Sequence, residues 1–239
     1  VEPVVEVPND PSGLGWLPTG ELLVVSMTDR RIMRWNGKRL RVHADLADLA
    51  SFHCNDMVVG PTGRAYVGNF GFDLHAGKKP RTAELTCVEP DGTARVVADE
   101  LAFPNGTVIT PDGQTLIVGE SWGGRLTAFD VDANGDLNNR RTWAELPDGA
   151  IPDGICLDSA GGIWTASPST NECIRQLEGG EVTDRVIVDQ GAFACMLGGA
   201  DGRTLHILTA GSSDPATCRK QRSGRVEVAE VEYPHAGFP

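Results

Sequence analysis

Three residues of this chain are spaced as a metal site would need them. Asn55, Asn105 and Asp153 each stand eight positions ahead of a turn glycine, at Gly63, Gly113 and Gly161. Each opens the same phrase of a polar residue, a short apolar run, the turn, and a second apolar run. Ser12 and Ala194 hold the same place ahead of Gly20 and Gly202. Amide and carboxylate oxygens brought together from separate rigid strands are the ligands that a hard divalent cation takes. Asn or Asp before Gly also serves as ordinary turn chemistry, but that alone does not set three such residues in one register. The all-oxygen set favours Ca²⁺, with Mg²⁺, Mn²⁺ or Zn²⁺ as alternatives. Asp153 is the expected catalytic group, holding the ion with one oxygen and orienting or deprotonating a water with the other.

Three further residues are candidate substrate contacts. His53 lies two residues before Asn55, Asp73 sits in a long insertion of the same repeat, and Glu120 ends a strand of the next repeat. Each is weighed against a plain role as a loop histidine or a solvated carboxylate. Two local motifs fail on context. Gly119-Glu120-Ser121-Trp122-Gly123 matches a nucleophile elbow, which needs a helix straight after the serine; a strand-like run, Arg125–Phe129, follows instead. The acidic run Asp130–Asp136 starts like an EF-hand loop, yet its twelfth position is Arg141 where a bidentate Glu is required. It reads as a hairpin turn.

The elements that must position these residues are short, β-branched and without helical period. Equivalent positions Ser12, Asn55, Asn105, Asp153 and Ala194 follow one another at offsets of 43, 50, 48 and 41 residues. Four strands per unit at that period describe a β-propeller blade. The expected units are about 11–46, 53–101, 103–146, 151–189 and 193–231, within one domain over residues 1–239. Strands are expected near 13–17, 22–26, 31–35 and 40–43 in the first unit. The fifth unit lacks a clear outer strand, and Val1–Val7 reads as the outer strand of a further blade. The expectation is therefore an all-β, six-bladed β-propeller with five blades visible and most of the first missing from this sequence, since propellers close by pairing strands from both termini.

A net charge of −12 argues against nucleic acid or an anionic membrane as partner, since both call for a basic surface. No apolar run is long enough to cross a bilayer. The six cysteines form no C-x-x-C pair and read as reduced thiols packed as small hydrophobes, in keeping with a cytoplasmic protein.

Phe52-His53-Cys54-Asn55-Asp56, Phe103-Pro104-Asn105-Gly106, Ile151-Pro152-Asp153-Gly154 and Met196-Leu197-Gly198-Gly199, in this order and spacing, resemble the senescence-marker-protein/gluconolactonase family, the regucalcin-like lactonases. The resemblance runs over the whole chain. It implies a six-bladed propeller with one divalent cation on its axis, Asn105 and Asp153 as direct ligands, and Asn55 as an asparagine beside the metal that also meets substrate. The family's third ligand, a Glu in an E-G-P-x-W motif, has no counterpart here; Ser12-Gly13-Leu14-Gly15-Trp16 only echoes it. The resemblance thus sets that Glu in the missing segment. His53 stands where such lactonases carry a substrate-binding Arg, and Asp73 falls near a substrate-contacting Glu. The implied activity is metal-dependent opening of a lactone ring, gluconolactone or a related lactone. The alternatives are a related propeller esterase or phosphotriesterase, and a non-catalytic propeller that binds a ligand or partner.

Overall fold

The repeat glycines are turn residues because of their backbone. Gly20, Gly63, Gly113, Gly161 and Gly202 all have φ between 72° and 82°, a region that only Gly enters without steric cost. Each donates its N–H to the carbonyl three residues back, as in Gly63 to Gly60 at 2.9 Å and Gly113 to Thr110 at 2.8 Å. The turn so closed sends the chain back along the strand it has just left.

The computed structural model describes residues 2–238, so that Val1 and Pro239 of the expected domain lie outside the described residues. It falls into two compact units, one taking residues up to 104 with 131–138, the other 105–130 with 139–237. The first unit holds two four-stranded antiparallel sheets. One is β1 (Pro11–Trp16), β2 (Leu22–Ser26), β3 (Arg31–Trp35) and β4 (Leu40–Asp45). The other is β5 (Cys54–Val59), β6 (Ala65–Asn69), β7 (Ala83–Val88) and β8 (Ala94–Leu101). Leu23, Val25 and Ile32 of the first sheet and Met57, Val59 and Val67 of the second share one buried cluster. The sheets come together closely at β1 and β5, where a Cβ on Gly13 would lie 2.5 Å from the Met57 nitrogen. Register shifts interrupt the pairing between Pro11 and Leu14 and between Cys54 and Met57. Ser12 and Asn55 therefore lie in bulges, which turn a side chain away from the regular alternation.

The third sheet is β9 (Pro104–Ile109), β10 (Thr115–Glu120), β11 (Arg125–Val131) and β12 (Leu137–Glu145). The second unit adds β13 (Ile155–Leu157), β14 (Ile163–Ser167), β15 (Glu172–Gln176) and β16 (Val182–Ile187). A last, three-stranded sheet has β17 (Gly191–Gly198), β18 (Thr204–Ala210) and β19 (Arg225–Glu230), with a one-helix insertion, α1 (Pro215–Gln221), between the latter two. The second strands β6 and β14 are buried at every position, whereas β16 is largely exposed. The fold is an all-β propeller with five blades among the described residues.

Two expectations need correction. No strand forms in residues 2–10; a strand needs a partner for its backbone N–H and C=O groups, and this segment has no ladder. The helix α1 was not expected, because none of its residues is buried and so no apolar period betrays it. A sixth blade does not appear among the described residues; instead Leu14 and Trp16 of β1, and separately Leu208, Val226 and Val228 of β18 and β19, stay exposed. Five of the six cysteines are buried and all are free. Burial pushes the Cys54 thiol up to about 12, as befits a thiol packed as a hydrophobe.

Candidate metal and substrate site

In the second unit Asn105 and Asp153 are held by one set of hydrogen bonds. The Gly106 N–H donates to the Asp153 carbonyl at 3.1 Å, the Asp153 N–H to Ala166 at 3.0 Å, and the Gly154 N–H to Phe193 at 3.0 Å. Three neighbouring strand starts are thus sewn together through the residues that follow Asn105 and flank Asp153. The approach leaves no space for side chains: a Cβ on Gly106 would lie 2.4 Å from the Asp153 carbonyl oxygen, and one on Gly154 2.8 Å from the Ala194 Cα. Neither glycine is among those with positive φ. The Asn-Gly and Asp-Gly pairs are therefore close-packing signals here, not turns.

Ser121 joins the two candidate ligands. Its Oγ donates to the Pro152 carbonyl at 2.7 Å, on the residue that leads into Asp153, and accepts from Asn105 Nδ2 at 3.1 Å. All of this lies out of water, with Asn105 only 4% exposed. Ser121 was missed as a site residue because G-E-S-W-G was weighed only as a nucleophile elbow. The strand β11 that follows it keeps that reading excluded.

Glu120 points elsewhere. Its carboxylate is wholly buried and takes Arg125 at 3.0 and 3.2 Å, Arg140 at 3.3 Å and the Thr127 hydroxyl. Both oxygens are engaged inside the sheet, which makes it a structural ion-pair centre.

In the first unit Asn55 is buried and accepts a 3.3 Å hydrogen bond from the Ser12 Oγ. The next residue, Asp56, has its carboxyl pushed up to about 6 by burial. His53 stacks on Phe52 with ring centroids 4.0 Å apart. Burial lowers its pKa, which favours the neutral ring, and nearby Asp73 partly offsets that. Phe70, Phe72 and Phe103 form a buried aromatic cluster against Phe52. Asn69 holds that loop, its Oδ1 accepting from the backbone N–H of Phe52 and of Gly71. Asp73 closes its own turn, accepting from Ala76 N–H at 3.0 Å.

Among the described residues no three His, Cys, Asp or Glu side chains gather into a group able to hold a metal ion. A donor set of one carboxylate and asparagine amides has a different composition. With Asn105 Nδ2 spent on Ser121, the oxygen end of the amide turns the other way. A carboxylate and an amide oxygen are ligand types that fit a hard cation, and not a thiolate- or imidazole-bound metal.

The family described as SMP-30/Gluconolactonase/LRE-like region matches residues 2–211. Regucalcin of Danio rerio is 26% identical over 197 residues, which cover 80% of this chain and 65% of the relative. The L-arabinolactonase of Azospirillum brasilense is 32% identical over 148 residues, covering 60% of this chain and 48% of that protein. Among solved structures, a calcium-binding protein, regucalcin, from Agrobacterium tumefaciens superimposes with a TM-score of 0.78 at 20% identity, over 97% of this chain and 79% of that one. The chain spans no more than two thirds of the length of these sequence relatives.

Proposed function

The chain belongs to the SMP-30/gluconolactonase/LRE-like family, and on that premise we propose that it serves metal-dependent hydrolysis of a lactone. Relatives carry the names regucalcin, L-arabinolactonase and pentonolactonase, and the reaction class that the two lactonases share is ring opening of a cyclic ester. The observation that carries the proposal is the pairing of Asn105 with the strand start of Asp153 through Ser121 and Gly106.

In this reading Asn105 Oδ1 and an Asp153 carboxylate oxygen hold a divalent cation, Ca²⁺ first. Asn55 enters from its register alone, as the asparagine that meets the substrate, and His53 and Asp73 are candidate contacts on the same repeat. When bound, such an ion supplies Lewis-acid polarisation of the ester carbonyl and charge for the oxyanion. The second oxygen of Asp153 orients the attacking water and takes its proton. Water adds to the carbonyl carbon, the bond to the ring oxygen breaks, and that oxygen takes the proton back from Asp153 to leave as the hydroxyl of a hydroxy acid. No serine nucleophile is called for: the Ser121 proton is already given to a backbone carbonyl. The reading also retains a sixth blade, supported by the exposed apolar residues of β1 and, separately, of β18 and β19.

The test is calorimetric titration of the metal-stripped chain with Ca²⁺ and Mn²⁺, beside pH-stat hydrolysis of gluconolactone and a simple γ-lactone. Saturable binding and EDTA-sensitive hydrolysis support the proposal. Metal-independent hydrolysis overturns it.

A further inference from the structure

The Ser121 hydroxyl has one proton and two acceptor lone pairs. Its partner at 2.7 Å, the Pro152 carbonyl oxygen, can only accept, so the proton goes there. What remains on the Ser121 oxygen facing Asn105 is a lone pair. The Asn105 side chain, 3.1 Å away, must then present its NH₂ end, since two acceptors facing each other would repel. Asn carboxamides have nearly the same shape either way round, and their orientation follows from such partners. A carbonyl that no side-chain change can turn into a donor thus fixes, through one hydroxyl, which end of Asn105 faces away from Ser121.

We infer that Ser121 is a positioning residue that selects the oxygen-outward orientation of the Asn105 amide, and so makes Asn105 a cation ligand. This rests on the metal reading above. Were the amide to turn over, an NH₂ group would face the cation and the ligand would be lost without any change in packing. The burial of Ser121 and Asn105 strengthens the selection, because no water can substitute for the serine oxygen without cost. Groups behind a ligand typically change metal affinity by about 10–100-fold.

Replacing Asn105 with Asp separates this role from simple support of the Pro152 segment. A carboxylate offers oxygen at both ends and needs no selection. The experiment is a double-mutant cycle on Ca²⁺ affinity, measured by calorimetry on the full chain for wild type, Ser121→Ala, Asn105→Asp and the double variant. Thermal midpoints of the metal-free forms are recorded alongside. The expected result is an affinity loss of about 10-fold or more when Ser121→Ala is made in the wild type, and little or none when it is added to Asn105→Asp. An equal loss in both backgrounds overturns the inference and leaves Ser121 as a support for Pro152. No loss in either also overturns it. Absence of Ca²⁺ and Mn²⁺ binding by wild type instead sinks the metal reading, a separate outcome.

Discussion

The amide of Gly106 donates to the carbonyl of Asp153 at 3.1 Å, and nothing larger than hydrogen fits on Gly106 at that approach. The two candidate ligands therefore owe their proximity to a residue that carries no chemistry. Gly106→Ala drives a methyl into backbone that cannot step aside. The expected cost is about 1–3 kcal/mol of stability, as for other overpacked sites. Cation affinity is expected to fall with it, because Asp153 moves. Urea unfolding and calorimetry on the same preparation check both; unchanged affinity at reduced stability would uncouple Gly106 from the ligands.

Glu120 is expected to behave as a structural residue. Glu120→Gln leaves Arg125 and Arg140 without their shared charge, at about 3 kcal/mol, the lower end for breaking a buried pair. Both guanidinium side chains keep 34% of their surface in water, which limits the loss. A lower thermal midpoint with an unchanged KM for lactone is the outcome consistent with its burial. A raised KM at unchanged stability would restore it as a substrate contact.

His43 sets a pH dependence in the first unit. Burial, followed by the positive Arg34, lowers its pKa below 6.5, while the Glu89 backbone and Asp91 act in the opposite direction. The unfolded chain then binds the proton more readily than the folded one. Its contribution is full above about pH 6.5 and is lost as pH falls below that toward the folded-state pKa. Because Asp56, raised to about 6 by burial, gains stability over the same range, the expected signature is a difference: between pH 7 and 5 the thermal midpoint of the parent falls relative to that of His43→Phe. Parallel profiles for the two would remove His43 as the cause.

Much of the fold was legible because its turns require glycine. Gly20, Gly63, Gly113, Gly161 and Gly202 mark five hairpins 41 to 50 residues apart, and the apolar runs around them are strands. The start of α1 was also written in the sequence, as Asp214-Pro215: the aspartate caps Thr217 N–H and the proline takes the first turn. With no buried face, the helix left no periodic signal to prompt that reading. At the site, residue types were legible and their partners were not. Asn105-Gly106 has the look of a turn until a neighbouring strand is known to pass 3.1 Å away. Ser121 sits 31 residues from Pro152, and no local pattern announces a hydrogen bond across that distance. From sequence Glu120 reads as a substrate contact or a solvated carboxylate, because Arg125, Thr127 and Arg140 meet it only once β10, β11 and β12 are paired.

Asp153 carries the central claim, and one comparison tests it most directly: lactone hydrolysis and Ca²⁺ affinity of Asp153→Asn against the unmodified chain. The substitution keeps the shape and the backbone bonds to Gly106 and Ala166, and removes the ligand charge and the base together. Hydrolysis of gluconolactone or a γ-lactone, followed by pH-stat at saturating Ca²⁺, is expected to fall about 100-fold or more, with weaker Ca²⁺ binding and a thermal midpoint of the metal-free form near that of the parent. Hydrolysis within a few-fold of the parent, at unchanged Ca²⁺ affinity, would contradict the account.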